Sequence, residues 1–135
     1  MKKYILLSIF GTALLNCKNM PNTNSENKAQ EILFSDSKNS DIIKLKKGGS
    51  IALKIEENPS TGYHWAIETE KNCSVAIDND TYKQNDSAPG MVGVPGIRTL
   101  DVLGKENGKC KIDFKNTAPA GEITETKTIY FVVEN

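Results

Sequence analysis

The chain has 135 residues, with 17 basic and 17 acidic side chains and a single histidine. This length fits one domain after an N-terminal export segment, and the balanced charge, without a basic cluster, argues against a nucleic-acid partner. One histidine and three dispersed cysteines lack the spacing of metal ligands. The histidine also has no neighbouring nucleophile or carboxylate pair with which to act as a general base, so we expect no cofactor, no metal and no catalytic site.

The first 16 residues are typical of a secretory signal peptide. Lys2 and Lys3 precede an apolar run, residues 4–15, that is too short to span a membrane. Residues 14–17, Leu-Leu-Asn-Cys, resemble a bacterial lipobox, in which Cys17 becomes the lipidated first residue of the mature protein. Because Asn16 stands where a small residue is usual, ordinary secretion and an uncleaved anchor remain alternatives. We expect an exported lipoprotein, periplasmic or at the cell surface, and otherwise a secreted protein.

Residues 17–30 are predicted to be the lipidated cysteine and a flexible tether. The segment after Cys17 is rich in Asn, Ser, Lys and Glu and has almost nothing to bury. Residues 31–135 then form a single domain.

That domain consists of short alternating segments separated by Gly, Pro, Asn and Asp, which predicts an all-β, immunoglobulin-like antiparallel β-sandwich of seven or eight strands. In residues 50–56 and 109–115, apolar side chains recur at every second position and define one buried face. The predicted strands are residues 31–34, 41–46, 50–56, 63–69, 74–82, 97–103, 109–115 and 126–134. The last has five apolar residues in a row, which predicts a central place in its sheet.

Cys73 and Cys110 each fall in phase with apolar neighbours, so both are predicted to point inward. In an oxidising compartment they could form a disulfide, and buried free thiols explain the same pattern. Both interpretations stay open.

The densest chemical feature is the turn at residues 58–63, which leads into an aromatic strand. Asn58 can cap the turn, Pro59 fixes φ, and Gly62 permits a positive φ. Ser60 and Thr61 are therefore expected at a stiffened tip. Tyr63 and Trp65 are expected to anchor its base to the core, His64 to face solvent, and Glu56, Glu57, Glu68 and Glu70 to form a solvated face.

Two further loops join predicted strands. Residues 89–96 contain exposed apolar residues that suggest partner contact, or else fold back over the edge of the sandwich. Residues 116–121 lie before the last strand. In an immunoglobulin-like topology these two loops and the first can cluster at one end.

The Asn-Pro-Ser-Thr-Gly-Tyr motif followed by Trp65, together with Gly93-Val94-Pro95-Gly96 thirty residues on, resembles the chagasin family of cysteine-peptidase inhibitors. The resemblance covers about residues 30–135 and implies an immunoglobulin-like fold in which three loops form a wedge for the active-site cleft. The family's first loop matches Asn58, Pro59, Ser60, Thr61, Gly62 and Tyr63, with Thr61 as the best single contact. The second loop matches Met91, Val92, Gly93, Val94 and Gly96, and Pro95 replaces a usual glycine, which should stiffen the loop. The third loop corresponds to Asn116, Thr117, Ala118 and Pro119, without the family's common Arg-Pro-Trp.

The resemblance implies reversible inhibition of papain-like cysteine peptidases by a monomer, which the missing third-loop anchor should weaken or narrow. An alternative function is a surface lipoprotein whose immunoglobulin-like domain binds a glycan or another protein through the same loops, because fold alone does not fix function.

Overall fold

The computed structural model describes residues 29–135, which form eight strands. In chain order the strands are β1 (Gln30–Leu33), β2 (Asp41–Lys46), β3 (Ser50–Glu57), β4 (His64–Thr69), β5 (Val75–Gln84), β6 (Gly96–Gly104), β7 (Gly108–Thr117) and β8 (Ile123–Glu134). All eight correspond to predicted strands. The predicted signal peptide, Cys17 and most of the tether lie outside the described residues.

The strands form two four-stranded sheets, ordered β1-β3-β6-β5 and β2-β8-β7-β4. The pairs β1/β3 and β2/β8 are parallel, and the other pairs are antiparallel. The all-β sandwich is as predicted, and β8 does lie between two strands of its sheet.

The core lies between the sheets and follows the period of two in the sequence. Phe114, Phe131 and Leu53 are at most 1% exposed, and Ile129 and Val133 alternate with the more exposed face of β8. Burying an aliphatic or aromatic side chain of this size stabilises the fold by roughly 1.5–3 kcal/mol. The core therefore gives a rigid base for the loops.

Cys73 and Cys110 form a disulfide with a Cα–Cα distance of 4.9 Å. Cys73 lies just before β5, and Cys110 is fully buried on β7, so the bond links the two sheets. Of the two interpretations that the sequence allows, the structure has the disulfide.

Strand register brings three connections to one end of the sandwich, which we call the loop end. Glu57 pairs with Gly96, which pairs with Gln84, and in the other sheet His64 pairs with Thr117. The connections β3–β4 (residues 58–63), β5–β6 (85–95) and β7–β8 (118–122) all leave from this level. We call them the first, second and third loops.

The opposite end, which we call the far end, holds the start of β1 and the close of β8. Gln30 pairs with Ile51 at the beginning of β3, and Glu134 pairs with Lys46 at the end of β2. Within residues 29–135, no helix is long and apolar enough to cross a membrane.

Candidate functional site

The first loop is a short 3₁₀ turn, Pro59–Thr61, closed by hydrogen bonds within the loop. The amides of Thr61 and Gly62 donate to the carbonyls of Asn58 and Pro59, each at 3.0 Å. The Thr61 hydroxyl donates to the Asn58 carbonyl at 2.7 Å, and the Ser60 hydroxyl donates to Asn58 Oδ1 at 2.6 Å. The tip is exposed yet internally bonded, so it presents a fixed backbone at little entropic cost.

The Asn58 side chain does not cap its own turn, contrary to the sequence-based prediction. Its Nδ2 instead donates to the carbonyl of Gly93 in the second loop, at 2.7 Å. The 3₁₀ turn already satisfies the Thr61 amide through a backbone carbonyl, and Pro59 has no amide to cap, so the side chain is available for this contact. Asn58 thus joins the first loop to the second.

Gly62 joins the first loop to the third. Its φ of +78° lies in the left-handed region, as its position in the turn predicted. A Cβ built on Gly62 would lie 2.7 Å from Pro119 Cγ, so the close approach also requires glycine. These two contacts place all three loops side by side.

The second loop carries the most exposed apolar side chains of the loop end. Met91 is 60% exposed and Val92 is 93% exposed, so they do not fold back over the sandwich edge. Residues 94–95 are half-buried, and Gly96, the first residue of β6, is buried against the ring of Tyr82. The loop therefore has a fixed base and an apolar tip open to a partner.

The third loop is shorter than predicted. Asn116 and Thr117 belong to β7, where they pair with Trp65 and His64 of β4, and the strand continues through an irregularity in its pairing with β8. Ala118 is buried and Pro119 is exposed. The exposed part of this loop is residues 119–122, and the sequence predicted the wrong loop boundary because a bulge does not interrupt the local residue pattern.

The two aromatic residues that follow Gly62 differ in environment. Trp65 packs edge-on against Phe34 at a centroid distance of 4.9 Å, as an anchor of the loop should. Tyr63 is 45% exposed, so the prediction that it also anchors the base is wrong. The strand begins one residue later, at His64, and the alternation that fixes Trp65 does not reach Tyr63. His64 is exposed, as predicted.

Glu57 was predicted to be solvated, but its side chain is only 9% exposed. Its Oε1 accepts hydrogen bonds from the Trp65 amide at 2.9 Å and from Arg98 Nη1 at 3.3 Å. Arg98 also donates two hydrogen bonds to Asp80, and these hold the pKa of the Asp80 carboxyl below its usual value. No local pattern predicts this network, because its hydrogen-bonded members are separated by 8 to 41 residues.

Concave space at the loop end is small. A depression of about 110 Å³ lies at the base of the first loop, and another of about 190 Å³ lies between the first and second loops. Sites that enclose a small molecule usually measure about 300–1,000 Å³. Among residues 29–135, no group of three or more His, Cys, Asp or Glu side chains could hold a metal ion. Both depressions are smaller than that range.

A family model and two relatives match this chain. Residues 44–134, which include all three loops, match the family model described as Chagasin family peptidase inhibitor I42. Amoebiasin-2 of Entamoeba histolytica is 26% identical over 119 residues, covering 88% of this chain and 85% of that protein. Amoebiasin-1 of the same organism is 27% identical over 79 residues, covering 58% of this chain and 74% of that protein.

Solved structures share the fold. The cysteine protease inhibitor EhICP2 from Entamoeba histolytica superimposes with a TM-score of 0.64 at 24% identity, covering 78% of this chain and 96% of that one. PbICP-C, solved in complex with falcipain-2, gives a TM-score of 0.53 at 18% identity, covering 78% of this chain and 100% of that one. The match over residues 44–134, on a sandwich with three joined loops at one end, shows that the chain belongs to the chagasin family of peptidase inhibitors.

Proposed function

We propose that this protein reversibly inhibits papain-like cysteine peptidases by inserting its loop end into their active-site cleft. Family membership supports an inhibitor rather than an enzyme. The structural neighbour PbICP-C is solved in complex with falcipain-2, and EhICP2 is described as a cysteine protease inhibitor. The observation that carries the proposal is the joining of the three loops by the Asn58–Gly93 hydrogen bond and the Gly62–Pro119 contact.

The mechanism is occlusion by a preformed wedge. A loop that is already ordered loses little conformational entropy on binding, and this lowers the free-energy cost of association. The first loop meets this condition through its internal hydrogen bonds, with Ser60, Thr61 and Gly62 exposed at its tip. We assign these three residues to the cleft centre, with Thr61 as the main contact.

The second and third loops flank that tip. Met91 and Val92 offer apolar surface to one wall of the cleft. The third loop presents Pro119 but no arginine or aromatic residue, so we expect it to contribute less binding energy than the other two. A single copy carries all three loops, and this favours a complex of one inhibitor with one peptidase.

The test is inhibition of papain by residues 18–135, followed with a fluorogenic substrate. Competitive inhibition is expected, and Thr61→Arg should raise the inhibition constant by at least about 30-fold, the effect of losing about 2 kcal/mol at a central contact. Thr69→Arg is the matched control, because Thr69 is exposed at the far-end terminus of β4. An inhibition constant that Thr61→Arg leaves unchanged would remove Thr61 from the contact.

The alternative is binding of a glycan or another protein by the same loop end. Papain that stays fully active at micromolar inhibitor would favour this alternative over peptidase inhibition.

We further propose that the protein is exported and held at a membrane by a lipid on Cys17. The domain supports this arrangement because β1 begins at the far end, so a tether attached there leaves the loop end pointing away from the membrane. The full chain expressed in a bacterium should partition into detergent, and Cys17→Ser should release it into the aqueous phase. Equal partitioning of the two forms would contradict lipidation.

A further inference from the structure

One guanidinium group touches three strands besides its own. Arg98 lies on β6, and its Nε and Nη2 donate to Asp80 Oδ1 and Oδ2 on β5 at 2.8 and 2.7 Å. Its Nη1 donates to the Trp65 carbonyl on β4 at 2.7 Å and to Glu57 Oε1 on β3 at 3.3 Å.

These four strands lead into and out of the first two loops, and we call the parts of the strands nearest the loops their stems. Glu57 and Trp65 are on the stems of the first loop, and Asp80 and Arg98 are on the stems of the second. Glu57 also accepts a hydrogen bond from the Trp65 amide, and this bond joins the two stems of the first loop directly. Since β4 belongs to one sheet and the other three strands to the opposite sheet, the contacts also cross the sandwich. We call this set of four residues the stem clamp.

Only arginine can make this set of contacts. A planar guanidinium has five donors in fixed directions, and it can bind one carboxylate with two parallel hydrogen bonds while a third nitrogen serves other acceptors. The Arg98 side chain is 19% exposed and that of Glu57 is 9% exposed, so water does not easily replace a lost donor. The bonds to Asp80, the largest influence, and the nearby Glu57 charge raise the pKa of Arg98, consistent with a guanidinium held between two carboxylates.

We propose that Arg98 is a positioning residue, which fixes the first loop relative to the second through the stem clamp and thereby sets how fast the inhibitor binds its peptidase. This inference rests on the proposed inhibitory function. Arg98 acts through the loops, and its side chain is committed to contacts within the domain.

Loss of a positioning residue should change the association rate constant, whereas loss of a residue that contacts the target usually changes the dissociation rate constant. If loosening the stems leaves only a fraction of molecules with both loops in place, the apparent association rate constant falls by that fraction. Dissociation starts from a complex in which the peptidase itself holds the loops, so its rate constant should change little. Removing a contact residue usually raises the dissociation rate constant and leaves association nearly unchanged.

The experiment compares full-length protein with three variants by stopped-flow binding to papain. Arg98→Lys keeps the positive charge but cannot make the paired bonds to Asp80. Asp80→Asn weakens the contact between Arg98 and β5, at a side chain that is 44% exposed. Lys115→Met removes a 2.6 Å bridge to Glu68 between β7 and β4 that lies outside the clamp, and it serves as the matched control.

Arg98→Lys is expected to lower the association rate constant about tenfold, equivalent to about 1.4 kcal/mol, with dissociation changed less than about twofold. Asp80→Asn should show a smaller loss of the same kind, and Lys115→Met none. The fluorescence of Trp65, the sole tryptophan, should change in Arg98→Lys, because its carbonyl loses a hydrogen bond while the domain stays folded.

Unchanged association in both Arg98→Lys and Asp80→Asn would overturn the proposal, as would a loss that appears only in dissociation. If Arg98→Lys does not fold, the half-exposed Asp80→Asn variant decides the result alone. A parent protein that fails to bind papain would contradict the proposed function instead, so the two failures are distinguishable.

Discussion

Gly62→Ala tests whether the first and third loops depend on their close approach. Gly62 has φ +78°, and an added Cβ would lie 2.7 Å from Pro119 Cγ and 3.1 Å from its Cβ. A residue with a side chain in the left-handed region costs roughly 1–2 kcal/mol, and overpacking a close contact adds about 1–3 kcal/mol. We therefore expect Gly62→Ala to destabilise the domain by about 2–5 kcal/mol or to push the two loops apart.

Gly48→Ala separates the two effects. Gly48 has nearly the same φ, +79°, in the far-end turn between β2 and β3, and nothing lies within 4 Å of its added Cβ. This variant carries the backbone strain alone, so it should lower the melting temperature by about 5–10 °C and leave the papain inhibition constant unchanged. The difference between the two variants measures the Pro119 contact.

The assay combines thermal unfolding by circular dichroism with papain inhibition. Gly62→Ala should melt below Gly48→Ala and raise the inhibition constant at least about tenfold, the equivalent of about 1.4 kcal/mol of lost loop alignment. Pro119→Ala should partly rescue Gly62→Ala, because it removes the Cγ atom that the new methyl group meets. Equal melting temperatures and equal inhibition by the two alanine variants would refute the reasoning.

Three further predictions concern the loops and the core. Asn58→Ala should weaken papain inhibition about tenfold, because it removes the bonds to the Gly93 carbonyl and to the Ser60 hydroxyl, with a change in melting temperature below about 5 °C; an unchanged inhibition constant would contradict this link between the loops. Replacing Cys73 and Cys110 together by alanine should destabilise the domain by about 3–4 kcal/mol, since the disulfide closes a 37-residue separation, and urea unfolding with an unchanged midpoint would contradict it. Because the pKa of Asp80 is lowered in the folded state, its stabilisation is complete above the unfolded-state pKa near 3.9 and is lost as pH falls through the folded value. Asp80→Asn should therefore remove at most about 1 kcal/mol of the stability that the parent protein loses on acidification, so its melting temperature should fall less steeply with pH. Parallel curves for the two proteins would exclude this role.

The strands were predictable from the sequence because their cause is local. In β3 and β7 the apolar residues alternate with polar ones, and the structure buries the same residues that the alternation selects. The clustering of the three loops was also predictable, since the topology of an immunoglobulin-like sandwich brings alternate connections to one end.

The contacts that hold the loop end together were not predictable in the same way. Glu57 stands beside Glu56 in a charged run, and only the pairing of β3 with β6 places it near Arg98. The Asn58–Gly93 bond likewise spans 35 residues. Such contacts depend on the register between strands, which the period of the side chains restricts but does not determine. Tyr63 was assigned to the core for the related reason that the alternation was extended one residue beyond the strand.

The most direct test of the account is amide hydrogen exchange of the protein alone and in complex with papain whose catalytic thiol is blocked. Occlusion by the loop end predicts added protection in residues 58–63 and 91–95, weaker protection in residues 118–122, and none in the far-end turns at residues 47–49 and 105–107. Protection at the far end with unprotected loops, or exchange that papain leaves unchanged throughout, would contradict the claim that these three loops form the inhibitory surface.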